Sequence, residues 1–243
     1  MQMNDFFAAL DATWPAASYR QLGPVTLREG QGGGSRVSAA TVEGAFTEAD
    51  LAAAETAMRE MGQRPIFQLR PGQDTLDTAL AARGYAVLDP VNLYTCPIEQ
   101  LTDIPLPRMT VLEIWEPLAL MLEIWEAAGI GPARIAVMMR ASGPKTGLLG
   151  RHKDKPAGCA YVAIHDGIAM LHALEVLPTQ RRSGMGKWFM RAAGLWAQKH
   201  GAHTMALMCT KANQAANGLY SSLNMQVVGD YHYRQLREET HTP

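Results

Sequence analysis

The stretch that most restricts this chain is 171–187, LHALEVLPTQRRSGMGK. An apolar strand over 168–176 runs straight into a basic, glycine-bearing turn. The turn opens a helix over 187–200 that carries Trp188, Phe189, Ala192, Leu195 and Trp196 on one face. Such a turn presents several main-chain N–H groups on one side and the helix N-terminus adds a partial positive charge, so the junction predicts an anion site. Gly184 and Gly186 let the main chain approach a pyrophosphate with no Cβ in the way, and Arg181, Arg182 and Lys187 add full charges. Two other phosphate motifs fail. A Walker A loop needs Ser or Thr where Trp188 stands, and its first glycine would fall on Arg181. A dinucleotide fingerprint needs a βαβ unit, whereas the segments upstream read as an antiparallel meander.

That meander comprises 147–152, 159–165 and 168–176, turned at 153–156 and at Asp166-Gly167, a strong hairpin dipeptide. A strand over 109–115 and helices over 118–128 and 133–140 precede it. A strand over 203–209, a helix over 213–223 and a strand over 225–233 follow the helix at 187–200. LEIWE occurs at 112–116 and again at 122–126. A spacing of ten fits no repeat period and places the copies on different elements.

The first hundred residues predict a helix over 4–12 and strands over 25–28 and 36–42. The glycine run 30–34 reads as a flexible hairpin loop, because no helix pattern follows it. A helix over 47–61 is capped by Thr47, with Asp50 in the third position of a capping box. A strand over 66–69, a helix over 74–82 closed by Arg83-Gly84 and a strand over 86–94 complete this part. Two prolines within 101–108 mark a linker. The expected organisation is an N-terminal α+β half at 1–100, the linker, a catalytic domain at 109–236 and a frayed tail at 237–243.

At this point the sequence resembles a known family. Arg181-Arg182-Ser183-Gly184-Met185-Gly186 is similar to the Q/R-x-x-G-x-G/A acyl-CoA loop of the GNAT acetyltransferases, and Glu175-Val176-Leu177-Pro178 resembles the strand end before it. Asn213, Ala216, Leu219 and Tyr220 stand in the places of the family's N-x-x-A-x-x-L-Y. Asn224-Met225 replaces the usual Gly-Phe, a departure at a turn and a core position. The likeness covers 109–236 and implies an α+β fold, a mixed, mostly antiparallel sheet flanked by helices. It also implies transfer of an acetyl group from acetyl-CoA, as co-substrate, to a primary amine in a ternary complex. A non-catalytic acyl-CoA sensor, or a structural protein on the same fold, is the alternative.

Roles follow from the resemblance. Arg181, Arg182, Ser183, Gly184, Met185, Gly186 and Lys187 would bind the CoA pyrophosphate. Main-chain groups at Glu175, Val176 and Leu177 would pair with the pantetheine arm as an added strand, and an N–H there would polarise the thioester carbonyl. Asn213 would contact the cofactor, and Tyr220 would protonate the departing thiolate. An amine with a pKa of about 10 must also lose a proton before it attacks. The first candidate base is His172, because imidazole as a side-chain type suits base work at neutral pH and the residue shares strand parity with Met170 and Leu174. Glu175 is the second, on the opposite face unless a bulge re-aims it.

A shift of 140 positions overlays the element order of the first half on the second, so the N-terminal half resembles a degenerate GNAT copy. Its 41–46 turn lacks the basic pair, Phe46 replaces the second glycine and Leu80 stands where Tyr220 does. Such a copy is expected to bind no CoA and to shape the acceptor cleft; the alternative is an unrelated α+β cap.

Composition narrows the partners. The net charge of −1, with 47% apolar and 19% charged residues, offers no general attraction to nucleic acid or anionic membrane. Cys96, Cys159 and Cys209 lie far apart without zinc-ligand spacing, so they read as buried thiols and no metal is expected. The N-terminus lacks a signal-peptide pattern, and no apolar stretch reaches the roughly 20 residues of a membrane span. The expected partner is a small-molecule or peptide amine and the expected compartment the cytoplasm. The oligomeric state stays open, a homodimer included.

Overall fold

Helices and strands are mixed through residues 2–236, the part that the computed structural model describes; the tail expected at 237–243 lies outside the described residues. In chain order the elements are α1 (Met3–Thr13), β1 (Ser18–Leu22), β2 (Val25–Glu29), α2 (Ser35–Ser38), β3 (Thr41–Val42), α3 (Glu48–Glu60), β4 (Ile66–Leu69), α4 (Asp74–Ala82), β5 (Tyr85–Pro97), β6 (Val111–Ile114), α5 (Ala119–Ala127), α6 (Pro132–Arg140), β7 (Lys145–His152), β8 (Lys155–His165), β9 (Ile168–Val176), α7 (Met185–Lys199), β10 (Thr204–Thr210), α8 (Gln214–Ser222) and β11 (Gln226–Leu236).

Local chemistry accounts for most of these boundaries. Thr47 Oγ1 accepts the Asp50 N–H at 3.2 Å and the Asp50 carboxylate accepts the Thr47 N–H at 2.8 Å, the reciprocal pair expected at the start of α3. The β7–β8 and β8–β9 turns each carry two left-handed residues, Lys153 and Asp154, then Asp166 and Gly167, as a two-residue hairpin requires. In the first forty residues the structure corrects the reading. β1 exposes four of its five residues and so carries no apolar alternation to betray it. The expected strand over 36–42 is a helical turn, α2, followed by two strand residues, and the glycine run leads into α2 rather than closing a hairpin.

The chain divides into two compact units that cut across the expected boundary. One holds α1, Leu93–Cys209 and Asn213–Val228; the other, within the described residues, holds Ala16–Asn92, Thr210–Ala212 and Gly229–Leu236. In the first, the strands run in the order β6-β7-β8-β9-β10-β5, antiparallel from β6 to β9 and parallel between β9 and β10. Its core joins Phe189, Met190 and Trp196 of α7 to Leu148, Val162, Leu171 and Leu207 of the sheet. The supposed linker begins inside this core: Leu101 is fully buried, and its Cβ lies 2.7 Å from where a side chain on Gly194 would start. In the second unit β1, β2 and β3 form an antiparallel sheet, β4 pairs antiparallel with β11, and Leu51, Met58, Phe67 and Leu80 lead the core.

A shared plan links the halves. Moved by 140 positions, α4 falls on α8, Asp77 on Asn217 and Tyr94 on Arg234. In the first unit the Tyr94 hydroxyl donates to Asn217 Oδ1 at 2.8 Å. In the second, Arg234 donates to both oxygens of Asp77 at 2.8 and 2.9 Å. Each helix is thus pinned by a strand from the other half of the sequence.

Candidate active site

The site is built on the irregular end of β9. Opposite Cys159 and Tyr161 of β8 stand Glu175 and His172, so the single residue Ala160 faces two, Ala173 and Leu174. The extra residue is a β-bulge, and Ala173 takes a left-handed φ of 50°. Cys159 and Tyr161 share one face of β8, so their partners Glu175 and His172 share one face of β9. The bulge therefore removes the expected opposition between the two candidate bases. Leu174, expected beside His172, instead packs with Leu171 and Val176 against the α7 core.

On its other edge β9 pairs with β10 from Ile168↔Thr204 to Leu171↔Leu207, and the ladder stops there although both strands continue. This opens the sheet beside Glu175 and Val176. Two of the expected main-chain contacts are already engaged. The Leu177 N–H donates to Ala157 O at 2.9 Å, and Val176 O accepts from Arg181 Nε at 3.1 Å. Arg181 also donates through Nη2 to Glu175 Oε1 at 3.1 Å.

The loop to α7 is held from within. Pro178–Gln180 form a 3₁₀ turn, the Ser183 hydroxyl donates to Gln180 O, and the Gln180 side chain meets His152 Nδ1 at 2.9 Å. Arg182 and Gly184 are both left-handed, at φ 61° and 84°. Among the described residues no side chain caps α7; the Lys187 N–H donates to Gly184 O at 3.0 Å, which leaves the N–H groups of Met185 and Gly186 for a ligand, with exposed Arg182 and Lys187 nearby in sequence. The two glycines prove to have different tasks. A Cβ on Gly184 would meet nothing within 4 Å, so its φ alone requires glycine. A Cβ on Gly186 would lie 2.9 Å from Leu219 Cδ2, so that glycine sets the approach of α7 to α8 rather than of main chain to phosphate. Met185 is buried in the core and can offer the site only its main chain.

In α8, Asn213 Oδ1 accepts the Ala216 N–H at 3.1 Å as the helix cap, which leaves its amide group for a ligand. Tyr220 is buried, with its ring 5.3 Å from that of Tyr94. Burial pushes its phenol pKa well up, with the Cys209 and Tyr94 side chains adding to the shift. Asn224 takes φ 55°, a conformation asparagine tolerates, which explains its standing in for the family's glycine.

His172 is enclosed. Its Nε2 lies 2.9 Å from Thr13 Oγ1, and the Thr13 hydroxyl donates its only proton to Ala9 O at 2.7 Å. The ring nitrogen must then be the donor, so Nε2 carries a proton. Trp14 and Tyr161 enclose the ring at centroid distances of 5.0 and 5.9 Å. Glu175 is half-buried. Sequence reasoning missed Thr13, Trp14, Tyr94 and Trp125, whose indole N–H donates to Ala173 O at 2.8 Å; nothing in their local sequence marks them. Among the described residues no group of three His, Cys, Asp or Glu side chains is placed to hold a metal, and no helix is long and apolar enough to cross a membrane.

Comparisons with known proteins agree with this geometry. Residues 109–225 match the sequence model of the acetyltransferase (GNAT) family. The chain is 25% identical over 232 residues to "Uncharacterized N-acetyltransferase YobR" of Bacillus subtilis (strain 168), covering 92% of this chain and 94% of that one. It shares its fold with a GCN5-related N-acetyltransferase from Kribbella flavida at a TM-score of 0.73 and 19% identity, over 98% and 96% of the two chains. A tandem GNAT protein from the clavulanic acid biosynthesis pathway has the fold at a TM-score of 0.63 and 14% identity, over 87% and 77%, which fits a chain of two similar halves. Loop, capped helix and split strand pair all fall inside residues 109–225, the segment that matches the acetyltransferase (GNAT) family model.

Proposed function

We propose that the protein is an N-acetyltransferase that passes an acetyl group from acetyl-CoA directly to a primary amine, both bound at once. The observation that carries this reading is the uncapped N-terminus of α7, entered through left-handed Gly184 and flanked by Arg181, Arg182 and Lys187. The N–H groups of Met185 and Gly186 and the positive charge suit the diphosphate of CoA. The end of the β9/β10 ladder suits the pantetheine arm.

The amine nitrogen attacks the thioester carbonyl, the carbon–sulfur bond breaks, and the electron pair leaves with sulfur. Main-chain N–H groups at the end of β9 steady the developing oxyanion. Tyr220, held protonated by burial, gives its proton to the thiolate. Glu175 takes the proton from the amine, directly or through water. It is preferred over His172 because it is half-exposed on the same face, whereas the His172 ring is enclosed and its Nε2 is engaged with Thr13. Arg181 bridges Glu175 and Val176 O, and a diphosphate would compete for its guanidinium. The proposed setting is the cytoplasm, with a small-molecule or peptide amine as acceptor and no metal.

The test has two stages. Calorimetric titration with acetyl-CoA should show one site, and free-thiol release across an amine panel should identify an acceptor. Absence of binding ends the proposal; binding without thiol release from any amine leaves a sensor.

A further inference from the structure

We infer that Trp125 is a positioning residue for acyl transfer: its indole N–H holds the bulge at Ala173, and the bulge aims the end of β9. The inference rests on the reading of β9 as the thioester-binding strand. A bulge leaves its extra residue out of the ladder, so the Ala173 carbonyl needs another partner. Trp125 supplies it at 2.8 Å from a fully buried position. Indole has one N–H and no acceptor, so the bond cannot reverse or rotate to an equivalent. Its base is fixed too: Cys159 Sγ lies 3.7 Å from Met121 O, and the Ile130 N–H closes the end of α5 onto Trp125 O at 2.8 Å.

Ala173 needs such holding. It carries a Cβ at φ 50° with no polar side chain to bond locally, a conformation disfavoured for alanine. If the strand relaxed to regular pairing by one residue, the side chains beyond it would exchange faces. Glu175 would then turn toward the α7 core, where Leu174 and Val176 now pack, and the main-chain N–H groups after the bulge would turn with it. One buried indole thus sets both the candidate base and the oxyanion donors without touching either.

The test replaces the N–H and keeps the ring. In Trp125→Phe protein labelled at alanine, the Ala173 Cα resonance should move from its left-handed position toward extended values with no ligand added. With [1-¹³C]acetyl-CoA, the wild type should polarise the bound carbonyl. The variant should bind with nearly unchanged affinity through the intact loop, lose that carbonyl shift, and lose about 10- to 100-fold in kcat with an amine from the panel. Adding Ala173→Gly, which removes the Cβ penalty, should restore part of both. Benzothienylalanine at 125, which exchanges the N–H for sulfur at the same shape, replaces the phenylalanine variant should that one not fold. An unmoved Ala173 resonance overturns the inference whatever acetyl-CoA does. So does a rate loss that merely follows acetyl-CoA affinity. A wild type that takes up no acetyl-CoA sinks the proposed function instead, because the Ala173 signal needs no ligand.

Discussion

Gly184→Ala gives a quantitative check on the diphosphate loop. The residue stands at φ 84°, and an added Cβ would meet nothing within 4 Å, so the substitution introduces backbone strain and no clash. A left-handed residue with a Cβ costs about 1 kcal/mol. That cost can surface in two ways. If the loop keeps its shape, the free protein carries the strain, its Tm falls by about 2–4 °C and acetyl-CoA binds as before. If the free loop relaxes, its Tm is unchanged and the ligand must restore the left-handed turn, which weakens binding about fivefold. In both cases the acetyl-CoA-saturated protein loses the same ~1 kcal/mol relative to wild type, and scanning calorimetry with and without saturating ligand measures the division. A variant that neither melts lower nor binds more weakly would refute the idea that this left-handed turn belongs to the cofactor geometry. A loss well above ~3 kcal/mol would mean a collision that the structure does not contain.

Gly186→Ala should behave differently. Alanine favours the helix by up to ~1 kcal/mol over glycine, but its Cβ 2.9 Å from Leu219 Cδ2 pushes on α8, so kcat should fall through Tyr220 while acetyl-CoA affinity holds. Tyr220→Phe removes a hydroxyl for which no described residue is a recorded hydrogen-bond partner, so stability should change by no more than ~0.5 kcal/mol while kcat drops about 100-fold. Because burial raises the phenol pKa, the wild-type kcat profile should show no falling alkaline limb from Tyr220 below about pH 10. His172→Ala should cost ~2–3 kcal/mol of stability, by the cavity and by the hydrogen bond lost to Thr13 Oγ1, with kcat of the folded fraction kept; Glu175→Gln should do the reverse. Loss of kcat/KM at pH 7 in a fully folded His172→Ala protein would hand the base role back to the histidine. Asp77 is held at about 2, first by its hydrogen bonds from Arg234 and then by His232. Its folded pKa is depressed, so its contribution is present above about pH 4 and lost as pH falls toward 2. The carboxylate is a third exposed, which screens the effect to ~1 kcal/mol, and Asp77→Asn should flatten the dependence of Tm on pH across that window.

Much of the site was legible because its signals are local. A strand, a left-handed glycine and an uncapped helix follow one another within twenty residues, and each is dictated by neighbours along the chain. The same holds for the Thr47 cap, the Asp166-Gly167 turn and the Asn213 cap, all satisfied by groups within three residues. The duplicated plan was legible in element order for the same reason.

What the chain order did not reveal depends on distant partners. Gly186 reads like Gly184 until Leu219, more than thirty positions away, is seen against it. His172 and Glu175 lie on opposite faces by counting, and on one face once Ala173 bulges out under the hold of Trp125. LEIWE makes the point most plainly. At 112–116 it is mainly strand, paired with β7; at 122–126 it is helix, with Trp125 buried against β9. Propensity and hydrophobic pattern fix what a segment can become when its hydrogen bonds close nearby. Where the partner lies far along the chain, the same five residues take the conformation that buries their apolar side chains and pairs their polar groups in the assembled core.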